Sequence, residues 1–201
     1  MSFSYIRATR GAKISDAAFE KNWRKARASG IKVGAYHEFS FCDSPASQFE
    51  QIRRIVPKAE EALPIAVDVE WYGSPSLNEQ RCNSIANTRI KLRELAEKIE
   101  EYYQKKPILY GFPSTFRDVF EASMERYPVW LGDSKKSDAS TTGALSLAGG
   151  NPWTLWQFSS GGNIPGVVGS VDVNAFFGTI EQFHSFANGV NVALEASVNF
   201  K

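Results

Sequence analysis

Short β-branched or aromatic runs alternate with helix-period segments along most of this chain, and that alternation narrows the fold more than any other feature. Seven runs read as strands: Phe3–Ala8, Ile31–His37, Pro64–Glu70, Pro107–Gly111, Pro128–Leu131, Trp153–Phe158 and Val167–Val173. Ser15 or Asp16 can cap a first helix that runs to Ser29, with Gly30 as its stop. Ser44-Pro45 supplies an N-cap and a first-turn proline for a second helix, whose pattern Pro57 interrupts. The longest helix is expected from about Asn78 to Gln104, with Ile85, Leu92, Leu95, Ile99 and Tyr102 at helical spacing. Two more helices are expected, near Thr115–Met124 and over Thr179–Ala187. Strands that take turns with helices call for a parallel sheet covered on both faces. Seven strands in 201 residues exceed what a small open sheet needs. The expected architecture is therefore an α/β fold, a compact, irregular TIM-like (β/α) barrel of mostly parallel strands.

Residues 1–189 are expected to make up that barrel. From Val190 to Phe200 every even position is apolar or Ala, a period of two that reads as an extra C-terminal strand of the same domain. A loosely held tail is the alternative.

Composition removes several function classes. The 23 Lys and Arg nearly balance the 22 Asp and Glu, which leaves no electrostatic footprint for nucleic acid. No run reaches the roughly 18 to 20 apolar residues of a membrane span, so membrane insertion is not expected. The first residues lack the basic-then-apolar order of a signal peptide. With only His37 and His184 available, a histidine-built metal site is not expected, and no other cofactor is implied. Cys42 and Cys82 are too few for a disulfide scaffold; two buried thiols are expected ahead of a single bridge.

The strongest chemical signal is Pro64-Ile65-Ala66-Val67-Asp68-Val69-Glu70-Trp71. An apolar strand buried on both faces does not end in two acids without a reason, because desolvating a carboxylate is costly. Residues i and i+2 of a strand share a face, so Asp68 and Glu70 point the same way, with Cα atoms roughly 6 to 7 Å apart. At the C-terminal end of a parallel strand, that is where barrel active sites lie. Two carboxylates so close cannot both ionise cheaply, and one is expected to keep its proton. Glycoside hydrolysis needs such a pair; an acid pair bridged to Arg or Lys, or a metal site, is the alternative. Asp172, after the last apolar strand, is the third candidate acid, or else a turn residue. Tyr36, Trp71, Tyr110, Trp130, Trp156 and Phe158 stand at strand ends, where flat rings suit the apolar faces of sugars. His37 is expected to be buried, hydrogen-bonded and lining the cleft.

Seven segments, in order, resemble the family 25 glycoside hydrolases, lysozymes that cleave the peptidoglycan glycan chain. They are Tyr5-Ile6-Arg7-Ala8-Thr9 with Gly11, Gly34-Ala35-Tyr36-His37, Leu63-Pro64 through Glu70, Pro107-Ile108-Leu109-Tyr110, Pro128-Val129-Trp130-Leu131, Leu155-Trp156-Gln157-Phe158, and Ile164-Pro165-Gly166 leading to Val171-Asp172-Val173-Asn174. The resemblance implies an irregular barrel with a cleft at the strand ends. It implies Glu70 as general acid, Asp68 as a partner acting through the substrate's 2-acetamido group, and Asp172 as a late active-site acid. Arg7, Tyr36, His37, Tyr110, Trp130, Trp156, Gln157 and Asn174 are the implied substrate-binding positions. The bond cut would be the β-1,4 link between N-acetylmuramic acid and N-acetylglucosamine.

Three departures stand out. Family members open with a strand bearing an Asp-Val-Ser-type motif ahead of the Ile-Arg-Ala-Thr strand, and here the chain starts at Met1 without it. The alternating tail, Val190–Phe200, is expected to fill that gap beside Phe3–Ala8. Arg10 stands where relatives carry a smaller or acidic residue, and Glu38 interrupts the aromatics after the histidine. The expected partner is peptidoglycan, met in the periplasm or outside the cell after phage lysis, secretion or as part of a larger protein. An injected toxin would bring an immunity protein with it. A glycan-binding domain without turnover, and a glycosidase for another N-acetylated polysaccharide, are the alternative functions.

Overall fold

In a computed structural model of the chain, residues 2–71, 82, 84–120, 124–133 and 153–190 are described. Eight strands form one curled sheet: β1 (Phe3–Arg10), β2 (Ile14–Ser15), β3 (Lys32–Glu38), β4 (Ala66–Asp68), β5 (Ile108–Gly111), β6 (Val129–Gly132), β7 (Leu155–Gly162) and β8 (Val171–Phe176). Their order is β2-β1-β3-β4-β5-β6-β7-β8. β1 and β3 through β7 are parallel, whereas β2 and β8 lie antiparallel at the two ends. Among the described residues five helices accompany them: α1 (Phe19–Ala28), α2 (Pro45–Ile55), α3 (Ile85–Tyr103), α4 (Pro113–Asp118) and α5 (Ile180–Ala187). This is the expected α/β architecture, with the sheet curled into a half-barrel.

Strand parity divides the molecule. Val33, Ala35, Val67 and Leu109 face outward and bury against Ile52, Leu92, Leu95 and Ile99 of α2 and α3. Burial of each large aliphatic side chain there contributes about 1.5–3 kcal/mol. The intervening residues face the concave side, where Ala66, Ile108 and Leu155 floor a second cluster with Phe183 of α5. The two ends of the sheet meet on that helix. The Phe183 ring lies 5.5 Å from Phe3 on β1 and 5.3 Å from Phe176 on β8.

Local signals explain most boundaries. Asp16 Oδ1 accepts from the Ala18 N–H before α1, and Gly30 ends the helix at φ +79. Ser44 caps α2 with Pro45 in its first turn, and Ser84 caps α3. Thr179 and Gln182 form a capping box on α5. Three differences from the sequence expectation have physical causes. β2 is a two-residue hairpin return, too short to show a period. The last strand begins at Val171 rather than Val167, because Gly166 and Gly169 adopt φ of +85 and +91 and turn the chain. It therefore returns antiparallel to β7, leaving Val168 fully exposed. The helix expected over Thr115–Met124 runs instead over Pro113–Asp118, while the expected start of α3 before residue 82 and the alternating tail fall on residues outside those described.

Cys42 and Cys82 form a disulfide, with Cα atoms 5.0 Å apart, so the expectation of two thiols is corrected. Lys91 on α3 donates to the carbonyls of Phe41 and Cys42, which seats the start of α3 against the loop after β3. Cys82, just ahead of α3, thereby comes within bridging range. The bond closes a separation of 40 residues. Cys42→Ser with Cys82→Ser is expected to lower stability by about 4 kcal/mol through the freed unfolded chain, read as a lower urea midpoint with a somewhat larger m, since the uncrosslinked chain exposes more surface.

Candidate active site

The apolar stretch Ile65–Val67 is buried on both faces, and the chain beyond it is pinned by hydrogen bonds. The Val69 N–H donates to Tyr110 O at 3.0 Å, and Thr115 Oγ1 donates to Val69 O at 3.1 Å. Ser114 Oγ donates to Trp71 O at 3.1 Å. Asp68 and Glu70, on either side of the pinned Val69, both line a cleft of about 1280 Å³ on the concave side. Glu38 of β3 and Asp172 of β8 line it too.

The two acids of the pair differ in environment. Glu70 is exposed, whereas Asp68 is largely buried and its Oδ1 has no hydrogen-bond partner among the described residues. Burial is the main cause that pushes the Asp68 carboxyl up to about 8, and the charges of Glu70, Glu38 and Asp172 push the same way. The site therefore holds a proton at neutral pH. Tyr36, beside these carboxylates, is pushed up to about 12, chiefly by burial, and stays a neutral phenol.

Two side-chain amides are oriented by aromatic donors. Trp130 Nε1 donates to Asn174 Oδ1 at 2.9 Å, and an indole nitrogen can only donate, so the amide oxygen must face it. Tyr110 Oη donates to Gln157 Oε1 at 2.6 Å. With the oxygens engaged, the amide nitrogens are what the two can offer a ligand: Gln157 Nε2, and the second N–H of Asn174 Nδ2, which also donates to Asp172 O at 3.4 Å. A Cβ at Gly132 would come within 2.5 Å of Tyr110 Oη, so glycine there makes room for the phenol.

The structure thus gathers Asp68, Glu70, Asp172, Tyr36, Tyr110, Trp130, Gln157 and Asn174 around one cleft. Three of the implied catalytic and binding positions lie elsewhere, as do the strand-end aromatics Trp71 and Phe158. His37 is on the helix-packed face, because Tyr36 and Glu38 take the concave one. Trp156 likewise points away from Gln157, packs with Trp153 and Phe158, and donates to Asp133 O at 3.1 Å. Arg7 stands at the rim, bonded to Asp16 at 3.0 Å and to Glu38 at 3.2 Å, and reaches the cleft only through Glu38. Sequence reading missed Glu38, Tyr5 and Asp133 as cleft residues. For Glu38 the signal was present, since it follows Tyr36 by two in one strand.

His37 has a fixed tautomer. Gln48 Oε1 accepts from the Ser40 N–H and, at 3.0 Å, from His37 Nε2, so Nδ1 is left to accept from Thr9 Oγ1 at 2.8 Å. Burial pushes this imidazole down to about 4. The unfolded chain, with a histidine near 6.5, binds the extra proton between those values, so stability is lost as pH falls through that window. The loss from this group should reach about 3 kcal/mol by pH 4. Urea melts at pH 7 and pH 4 of the protein and of His37→Asn check it: the variant should lack that part of the acid slope.

The family model described as glycosyl hydrolases family 25 matches residues 1–167. Among solved structures, a family 25 glycosyl hydrolase from Bacillus anthracis is 31% identical with a TM-score of 0.80, the alignment covering 93% of this chain and 83% of that one. Among curated proteins, the uncharacterized protein YegX of Escherichia coli K12 is 29% identical over 190 residues. Lysozyme M1 of Streptomyces globisporus is 27% identical over 198 residues. Both matches cover 94% of this chain but only 64% of the relative's length. A match that extends through β1, the Asp68–Glu70 strand end and onward to residue 167, on a fold superposing at this level, places the chain in glycosyl hydrolase family 25.

Proposed function

We propose that this protein is a peptidoglycan hydrolase, a muramidase that cuts the β-1,4 bond between N-acetylmuramic acid and N-acetylglucosamine. The observation that carries the reading is the unequal pair at the end of β4. Asp68 is largely buried and holds a proton, while Glu70 is exposed to an open cleft faced by Asp172. Similarity to Lysozyme M1 supports the same reading.

In this scheme a glycan laid in the cleft brings a 2-acetamido N–H to Asp68 and its glycosidic oxygen to Glu70. The proton passes from Asp68 to Glu70 as sugar rings shed water from the exposed carboxylate. Glu70 then gives it to the leaving oxygen, while the acetamido carbonyl oxygen attacks C1 and the C1–O bond breaks. The cyclic cation carries its N–H against the Asp68 carboxylate, which its charge now stabilises. Water, deprotonated by Glu70, opens the ring at C1 and restores the acetamide with retained configuration. Asn174 and Gln157 supply amide N–H groups, and Tyr36 a phenol, to hold the sugar's oxygens. Trp130 and Tyr110 offer apolar ring surface.

Such a substrate lies outside the cytoplasmic membrane, in the periplasm or beyond. The Cys42–Cys82 bridge suits an oxidising compartment. No helix among the described residues is long and apolar enough to cross a membrane. Purified sacculi digested with the protein, reduced with borohydride and read by mass spectrometry test the assignment. Reduced muramic acid ends are expected. Reduced glucosamine ends would mean another bond is cut, and bound but intact sacculi would mean a glycan-binding domain.

A further inference from the structure

Glu38 belongs to no expected site, yet the sheet puts it next to the reacting pair. β3 and β4 pair in register with Glu38 opposite Asp68, so the two side chains leave the same face of neighbouring strands, about 4.8 Å apart at the backbone. Both line the cleft. The Glu38 carboxylate is held from the other side by β1. Arg7 Nη1 lies 3.2 Å from Oε1, and Arg10 Nε lies 3.6 Å from Oε2.

That clamp depends on an irregularity. Arg7 and Arg10 are three residues apart and would face opposite ways in a regular strand. The register shift at Ala8 pairs Arg7 with Tyr36, Thr9 with His37 and Arg10 with Glu38. One skipped residue thus brings both guanidinium groups to the side of Tyr36 and Glu38 and sends Thr9 to His37. Bulges beside active sites re-aim side chains in this manner. Asp16, one strand outward, accepts from Arg7 at 3.0 Å and steadies the outer end of the row.

We propose that Glu38, clamped by Arg7 and Arg10, is a positioning residue of the catalytic centre whose carboxylate, held one strand from Asp68, adds to burial and to Glu70 in keeping the resting proton on Asp68. The inference rests on the hydrolase reading for its purpose, though not for its test. Two ion pairs fix the Glu38 carboxylate in place and stop it swinging into the cleft. An anion in the neighbouring register position makes a second anion at Asp68 unfavourable, and burial of Asp68 Oδ1 without a partner strengthens that field. The other groups facing Asp68 are Glu70 on its own strand end, Tyr36 on β3 and Asp172 on β8; Tyr110 stands opposite it in the register with β5.

The test is a pH titration of the Asp68 side-chain carboxyl by ¹³C NMR in the protein, in Glu38→Gln and in Glu38→Asp. Glu38→Gln should lower the Asp68 midpoint by about one pH unit, while Glu38→Asp should keep it near the original. A purely structural Glu38 would change thermal stability and leave the midpoint where it was, and that result overturns the proposal. If sacculi are cleaved, the alkaline limb of the kcat profile should move down with the midpoint while KM stays unchanged. A shifted midpoint in a protein that cleaves no glycan would overturn the hydrolase reading and leave the charge coupling standing.

Discussion

Glu70→Gln should leave a folded protein whose turnover of peptidoglycan is about 10³-fold slower, with KM nearly unchanged. The amide matches the carboxyl in shape, so the backbone bonds at Val69 and Trp71 that aim this position persist. What disappears is the proton for the leaving oxygen and the base for the incoming water. General acid–base catalysis of this kind contributes about 10²–10⁴ in rate. Because residue 70 is exposed, the substitution should move the melting temperature little. Initial rates on dye-labelled sacculi, with a thermal melt of the same preparation, separate the two effects. A variant retaining a tenth or more of the activity would take Glu70 out of the acid role and leave Asp68, the carboxyl that holds the resting proton, as the donor.

Much of this site was legible because one rule, the two-residue period of a strand, carries far. It predicted that Asp68 and Glu70 share a face, and they line one cleft. The same rule, not applied to adjacent pairs, produced the errors. Tyr36 and His37 are neighbours in one strand, as are Trp156 and Gln157, so a single cleft can take only one of each pair. The cleft takes Tyr36 and Gln157; the helix-packed face takes His37 and Trp156. Parity alone could not say which, since a tyrosine or tryptophan suits either face. Burial decides: Gln48 on α2 and Thr9 on β1 satisfy the two imidazole nitrogens from either side.

Other features were illegible for a different reason. The antiparallel β8 depends on positive φ at Gly166 and Gly169, which glycine permits but does not announce. The Cys42–Cys82 bridge depends on how Lys91 docks α3 against a distant loop. The Arg7–Glu38–Arg10 clamp depends on one bulge. Each of these is a property of chain meeting chain, with no local pattern to betray it.

Asp68→Asn should make the protein more stable while abolishing most of its activity. The sign follows from proton binding. Asp68 holds its proton up to about pH 8 in the folded protein, whereas an unfolded aspartate releases it near 3.8. Between those values the folded state binds more protons, so this group erodes stability as pH rises from about 4 to about 8. At pH 7 the erosion amounts to about 4 kcal/mol. An asparagine carries no charge to desolvate at any pH, and the penalty vanishes. The variant and the original should therefore melt alike at pH 4 and diverge progressively above it, the variant being the more stable. His37 works in the opposite sense, with stability falling as pH drops below about 6.5. The two windows overlap, so the slopes should cancel and leave the original nearly flat from about pH 4 to 6.5 and falling from there to about pH 8, whereas the variant, left with the His37 slope alone, should gain stability up to about pH 6.5 and hold it above. Urea midpoints at unit intervals from pH 4 to 9 read both curves. If they ran parallel, Asp68 would not hold a proton in the folded state. The site would then have no stored proton to lend, and Glu70 would have to take its own from water at each turnover.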